Sequence, residues 1–167
     1  VIASSTRASV QTSVEAQANL YELTTNNSVG YTLTRTYPSS VEVDLLSINY
    51  YDNYAFTGYT GWDAEAHSFA FVAEQGSTSY ESAVTGLATG AKIRIINTSM
   101  TTAKWLNAVQ YYDKNYRPLQ VIAENHFSGL DRNTNKYDNL RQLIETRLAH
   151  HNSTVVLLRK FHYDHAG

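Results

Sequence analysis

Short runs of β-branched, aromatic and aliphatic residues recur along the chain, separated by clusters of Asn, Ser, Thr and Gly. That pattern predicts strands joined by turns, because such side chains pack well on a pleated surface and such clusters punctuate it. The predicted strands are Tyr31 to Thr36, Val41 to Tyr50, Lys92 to Ile96, Trp105 to Tyr112, Leu119 to Ala123 and Val155 to Tyr163. Gly86 to Lys92 reads as a flexible turn before Ile93; it lacks the spacing of a phosphate-binding loop.

Two stretches resist the strand pattern. Ser9 to Leu23 contains Val14-Glu15-Ala16-Gln17-Ala18, and in Leu140 to His150 the residues Leu140, Leu143, Ile144 and Leu148 recur at helical spacing. The second is nevertheless read as a strand, because it stands after a Tyr-Asp pair just as Leu119 to Ala123 does.

Tyr-Asp occurs four times, at Tyr51-Asp52, Tyr112-Asp113, Tyr137-Asp138 and Tyr163-Asp164, and the last three copies lie 25 and 26 residues apart. After Asp113 and Asp138 come an arginine and an apolar run, Arg117-Pro118-Leu119 and Arg141-Gln142-Leu143-Ile144. Such recurrence implies one supersecondary unit used repeatedly. A strand, a Tyr-Asp turn and a second strand cannot bury a face alone, so the copies must pair edge to edge or stack.

The pair has a physical reason to be a turn. An aspartate can accept a hydrogen bond from the backbone two residues on, and Asn or Gly tolerates the left-handed conformation of a tight turn. Asp113 with Asn115, and Asp164 with Gly167, supply those parts. The tyrosine just before offers an apolar face to the sheet and a hydroxyl to a neighbour.

With 167 residues the chain suits one domain with a real core. The division expected is a β-rich region over residues 1–84 and a repeat region over 85–167. Thirteen Lys and Arg against fifteen Asp and Glu give a net charge of −2. That is no electrostatic footprint for nucleic acid or an anionic membrane surface. No apolar run is long enough to span a bilayer, so membrane insertion by this segment is not expected. The sequence carries no cysteine, which excludes disulfides, thiolate metal sites and cysteine nucleophiles. The chain begins without Met and stops within what reads as a repeat, and so is expected to be a piece of a longer protein.

These units resemble the YD repeats of bacterial RHS proteins, which run roughly as Tyr-Asp, two variable residues, Gly-Arg and a strand. Tyr163-Asp164-His165-Ala166-Gly167 fits as far as it goes. The block from Thr85-Gly86-Leu87 through Trp105-Leu106, Asn125-His126, Gly129-Leu130-Asp131 and Arg147 to His151 is similar to the region just before the repeat array in such proteins. Two units depart from the pattern. Tyr116 stands where Gly is usual, and Tyr137-Asp138-Asn139-Leu140-Arg141 is one residue short and lacks Gly. Longer or irregular hairpins are expected there.

The resemblance implies a mainly β fold of consecutive antiparallel hairpins, part of a larger curled sheet or shell, with room for short helices. It implies a structural, non-catalytic role in an exported or cell-surface protein, enclosing or presenting a C-terminal toxin or interaction region. The residues implied are the structural turns: Tyr51, Asp52, Tyr112, Asp113, Arg117, Tyr137, Asp138, Arg141, Tyr163, Asp164 and Gly167. The implied partners are the remaining repeats of the same chain, together with a C-terminal toxin or a cell-surface partner. No cofactor, metal or catalytic residue carries over, and the Asp-Pro motif of self-cleaving relatives is absent.

Sharper chemistry has weaker support. His162 and His165, with His150 and His151, offer metal ligands at loose spacing, and in a strand the first two point to opposite faces. Asp44, Asp52, Asp63, Glu65 and Glu74 could be paired as hydrolytic carboxylates, but any acid-rich chain provides such pairs. The alternative class is an aromatic-rich surface module that binds carbohydrate or a protein partner. Its binding loop would sit in Ala55 to Ser82, with Gly58, Gly61, Trp62 and Gly76.

Overall fold

The computed structural model describes residues 7–37, 45–62, 67–96 and 104–164. A short helix α1 (Arg7–Glu15) is followed by β1 (Ser47–Asp52), a 3-10 turn (Ala55–Gly58), β2 (Val84–Ile95), β3 (Lys104–Tyr112), β4 (Pro118–Glu124), β5 (Leu130–Tyr137), β6 (Leu143–His150) and β7 (Val155–Lys160). The seven strands form one antiparallel sheet in sequence order, β1 to β7. The protein is mainly β, built of consecutive hairpins.

Most predicted strands lie where expected, and the differences have local causes. Tyr31 to Thr36 contributes only a single bridge, Tyr31 to Thr24. Asn27 takes over the hydrogen bonds there: its side chain accepts from the backbone of Val29 and Gly30 and donates to the Tyr31 carbonyl. Of Val41 to Tyr50, residues 41–44 lie outside the described residues, and the strand proper starts at Ser47. Gly86 to Lys92 is not a flexible turn but the middle of β2. Its glycine at position 90 has a packing reason: a β-carbon there would stand 2.4 Å from the Phe56 ring. The strand Leu130–Tyr137 was not anticipated, since Asp131, Arg132, Asn133 and Asn135 give it no apolar face.

Cross-strand partners share a face. One row on the inner face runs Tyr111, Gln120, Thr134, Arg147 and Leu158, and the next runs Val109, Ile122, Arg132, Ala149 and Val156. The core lies at the β1–β4 end of these rows, where Ile48, Tyr50, Phe56, Trp62, Phe69, Val109, Tyr111 and Ile122 pack together. Tyr50 stacks on Phe56 at 4.4 Å between ring centres, and Trp62 meets Phe56 edge-on at 4.7 Å. Toward β7 the cover thins out, leaving Val156 48 % and Leu158 51 % exposed.

Candidate functional site

The Tyr-Asp pairs build a recurring turn. The Asp113 amide donates to the Arg117 carbonyl at 3.0 Å, and the Tyr116 amide to the Asp113 carbonyl at 2.8 Å. The Asp113 carboxylate accepts the amides of Asn115 (2.9 Å) and Arg117 (3.0 Å) and the Arg117 guanidinium (2.7 Å to Nε). Burial pushes the Asp113 carboxyl up, but these hydrogen bonds and the Arg117 charge outweigh it and hold the pKa below the usual range. The left-handed position falls on Tyr116, with φ +61.

Asp138 repeats this geometry. Its amide reaches the Gln142 carbonyl at 3.0 Å, its carbonyl accepts from Arg141 at 3.2 Å, and its side chain accepts the Gln142 amide at 2.8 Å. Arg141 has φ +70. The two turns are therefore of equal length. Arg141 corresponds to Tyr116, and Gln142 stands where Arg117 does, so the second unit is not one residue short; the expected irregularity is present in both hairpins, as a register shift between Tyr111 and Tyr112 and between Lys136 and Tyr137. A third copy, at the opposite ends of the strands between β4 and β5, uses asparagine. The Asn125 side chain accepts from Phe127 (3.0 Å) and Gly129 (3.1 Å), and Ser128 takes φ +59. The sequence signal for it was present, because Asn125 to Gly129 has the same count as Asp113 to Arg117.

The tyrosines close each unit onto the preceding one. The hydroxyls of Tyr112, Tyr137 and Tyr163 donate to the carbonyls of Ala88 (2.7 Å), Pro118 (2.9 Å) and Leu143 (2.7 Å). In each case a tyrosine at the end of an odd-numbered strand, or for Tyr163 three residues past the end of β7, bonds back to the even-numbered strand before it. The Arg117 guanidinium also lies over the Tyr137 ring.

The first pair differs. Asp52 ends β1 with φ +73 and accepts the Gly86 amide at 2.6 Å, so it ties β1 to β2 across the long connection 53–83 rather than opening a short hairpin. Tyr51 is 49 % exposed. Asp164 follows the Tyr163 clamp, while His165 and Gly167 lie outside the described residues.

Part of the long connection runs as a strap across the inner face. The Phe69 carbonyl accepts the Tyr111 hydroxyl at 2.7 Å, and the Val72 amide and carbonyl pair with the Gln120 side chain at 2.9 and 3.0 Å. Beyond it, the Glu74 carboxylate accepts from Arg132 (2.9 Å), Arg147 (2.6 Å) and the Thr134 hydroxyl. Burial raises the Glu74 pKa, yet the bonds from Arg132 and Thr134 and both arginine charges bring it below the ordinary value. Glu74 thus clasps the strap to β5 and β6. Of its suggested partners, Asp44, Asp63 and Glu65 lie outside the described residues.

Buried Lys92 fixes the other loops. Its ammonium donates to the carbonyls of Ser28 (2.9 Å) and Gly61 (3.2 Å) and lies over the rings of Trp62 and Trp105. Desolvation lowers its pKa, with Glu124 opposing. His150 pairs with Asp131 at 2.7 Å, its ring lies 6.2 Å from that of His151, and the His151 ring fills the space that a side chain at Gly129 would need, while His165 lies outside the described residues. Among the described residues no group of three or more His, Asp or Glu is placed to hold a metal ion. Comparison with family models, with curated proteins and with solved structures finds no match to this chain.

Proposed function

We propose that this chain is a non-catalytic structural segment of an exported bacterial RHS/YD-repeat protein, contributing two-strand units to a β-shell that encloses or presents a C-terminal toxin or interaction region. The observation that carries this reading is the tyrosine clamp, in which the hydroxyls of Tyr112, Tyr137 and Tyr163 each bond back to a carbonyl of the preceding unit. A device repeated with the sequence period supports a self-propagating array, in which each unit gains stability from its neighbour. The partners are then further repeats of the same chain, and the location is extracellular or at the cell surface. Of the candidate carboxylates, Asp52 is engaged by the Gly86 amide and Glu74 by the strap clasp, which favours a structural role for these two.

The test is to duplicate one unit, inserting a second copy of residues 138–163 after Tyr163. An array extends to nine strands, with a higher urea midpoint and new amide protection along β7. An unfolded duplicate beside an unchanged parent sheet would remove the basis for the shell.

A further inference from the structure

One row of the inner face is polar where the row beside it carries Val109 and Ile122. Lys92 on β2 is the cross-strand partner of Asn107 on β3, and the pairing of Ala108 with Ala123 puts Glu124 on β4 beside Asn107 at the next step of the ladder. An amine, a carboxamide and a carboxylate therefore stand side by side on three adjacent strands, pointing to the same face. Lys92 is 2 % and Asn107 3 % exposed. The Lys92 ammonium donates to the Gly61 carbonyl at 3.2 Å, and the Asn107 side-chain amide donates to the next carbonyl, that of Trp62, at 2.5 Å. Two consecutive carbonyls of one loop thus hold the two nitrogens close together. On the other side, Glu124 Oε2 accepts the Asn107 backbone amide at 2.7 Å.

The surroundings favour reaction between these groups. Nζ of Lys92 lies 5.3 Å from the centre of the Trp62 ring and 5.9 Å from that of Trp105, and burial of this kind favours the uncharged, nucleophilic amine. Burial does lower the Lys92 pKa, with the Glu124 charge opposing. A proton passed from the ammonium to the Glu124 carboxylate removes two charges from a site of low dielectric. It leaves an amine beside a carboxylic acid. The Asn107 carbonyl oxygen is the group such an acid would serve, since it is buried and accepts no hydrogen bond among the described residues. Nucleophile, electrophile and proton carrier are then held in one row before any reaction begins, which is the arrangement that makes a slow amide exchange feasible.

We propose that Lys92 and Asn107 become joined by an intramolecular isopeptide bond, with Glu124 carrying the proton. The Nζ lone pair attacks Asn107 Cγ while the Glu124 carboxyl donates its proton to Oδ1. Glu124 then moves one proton from Nζ to Nδ2, the Cγ–Nδ2 bond breaks, and Nδ2 leaves as ammonia as the carbonyl re-forms and returns its proton to Glu124. One C–N bond forms and one breaks, with no oxidant or reductant. The Ser28 and Gly61 carbonyls beside Nζ are placed to accept the remaining N–H. In a chain without cysteine, this link ties β2 to β3 covalently. Linked Lys92 has no charge and drops out of the pH response of stability. The inference rests on this row alone and stands whether or not the Tyr-Asp units belong to a shell.

The purified chain is weighed by intact-mass spectrometry and then digested with trypsin. The expected mass is lower than that of the sequence by one ammonia, about 17 Da. Tandem spectra of the digest should show residues 105–114 attached through Asn107 to the peptide that ends at Arg94, with Lys92 uncut. Glu124→Gln and Asn107→Ala, isolated in the same way and folded by circular dichroism, should keep the full mass, and Tyr163→Ala should carry the link as the parent does. The proposal is overturned if the folded parent has the full sequence mass, if the lost ammonia maps to another asparagine as a cyclic imide, or if Glu124→Gln is linked to the same extent as the parent. Should the Glu124 and Asn107 variants fail to fold, the digest of the parent alone decides.

Discussion

The Arg117 guanidinium lies 4.1 Å from the centre of the Tyr137 ring while its own Nε and Nη2 hold the Asp113 carboxylate. One side chain thus joins the turn of one unit to the closing tyrosine of the next. A cation over a ring contributes about 0.5–1 kcal/mol at a partly exposed site. A double-mutant cycle with Arg117→Gln and Tyr137→Leu should therefore show coupling of about 0.5–1 kcal/mol in urea unfolding. Additive losses would mean that the two units touch without supporting one another.

The turns invite a gain of stability. Tyr116 and Arg141 hold φ of +61 and +70, a region that costs a residue with a β-carbon about 1 kcal/mol relative to glycine. Tyr116→Gly and Arg141→Gly should each raise stability by up to about 1 kcal/mol, with no change in the m-value. Asp113→Ala should do the reverse. It leaves the Asn115 and Arg117 amides without their acceptor and costs about 1–2 kcal/mol, whereas Asp113→Asn keeps the backbone bonds as Asn125 does. An Asn variant as damaged as the Ala variant would show that charge, not turn geometry, is what Asp113 supplies.

The Tyr-Asp spacing made the hairpins at Asp113 and Asp138 legible in the sequence, because a turn with a side-chain acceptor is a local object. The count within a turn was not legible. Aligning the arginines made the Asp138 unit look short, when the conserved geometric feature is the left-handed residue three positions after the acceptor, whatever its type. Strand β5 escaped because its inner face is polar: partly buried Arg132 and fully buried Thr134 bond to Glu74, some 60 residues earlier in sequence. Burial of that kind depends on a long-range partner, and no local pattern announces it.

Glu74 is therefore the best place to free the strap. Glu74→Gln leaves Arg132 and Arg147 partly buried without their carboxylate, which should cost about 2–3 kcal/mol, less than a fully buried pair because the arginines retain some solvent. Hydrogen exchange should rise first in residues 67–80, with Trp62 fluorescence shifting to the red. Uniform loss of protection over all strands would mean instead that the strap and sheet unfold as one unit.

Stability should fall at both ends of the pH scale, for different groups. Asp113 and Glu74 have folded pKa values below their ordinary 3.8 and 4.5. Their contribution is complete above those ordinary values and is lost as pH falls through the lower, folded ones. Burial raises Tyr50, Tyr54 and Tyr111, the last to about 12. Their contribution is complete below pH 10 and disappears as pH rises toward the folded values, each with a slope of up to about 1.4 kcal/mol per pH unit. Lys92, lowered from 10.5, works the other way and recovers some stability as pH rises through its folded value. Urea midpoints should hold or rise between pH 7 and about 10, where Lys92 adds stability as long as its amine is free, and then drop as pH rises above about 10 and the tyrosines begin to ionise. A continued rise above pH 10.5 would mean that the buried tyrosines do not carry the alkaline limit.

The amides of β7 should reveal the free edge. The Phe161 amide donates to the Ile144 carbonyl on β6 at 3.0 Å, and in an antiparallel pair the N–H groups of alternate residues point toward the same neighbour. The amides of Leu157 and Arg159 therefore face β6, and those of Val156, Leu158 and Lys160 face away from it, where no strand pairs with β7 among the described residues. Exchange should alternate along the strand, slow at 157 and 159 and fast at 156, 158 and 160. Val156 and Leu158 also continue the two inner rows, beside Ala149 and Arg147, so an added antiparallel strand would both cap those amides and cover that apolar surface. Val156→Lys should leave stability within about 0.5 kcal/mol of the parent, since nearly half of that side chain is already in solvent, while reducing self-association at high concentration. Slow exchange at 156 and 158 in a chain that sediments as a monomer would show that the edge is already filled, and that the sheet does not extend there by adding strands.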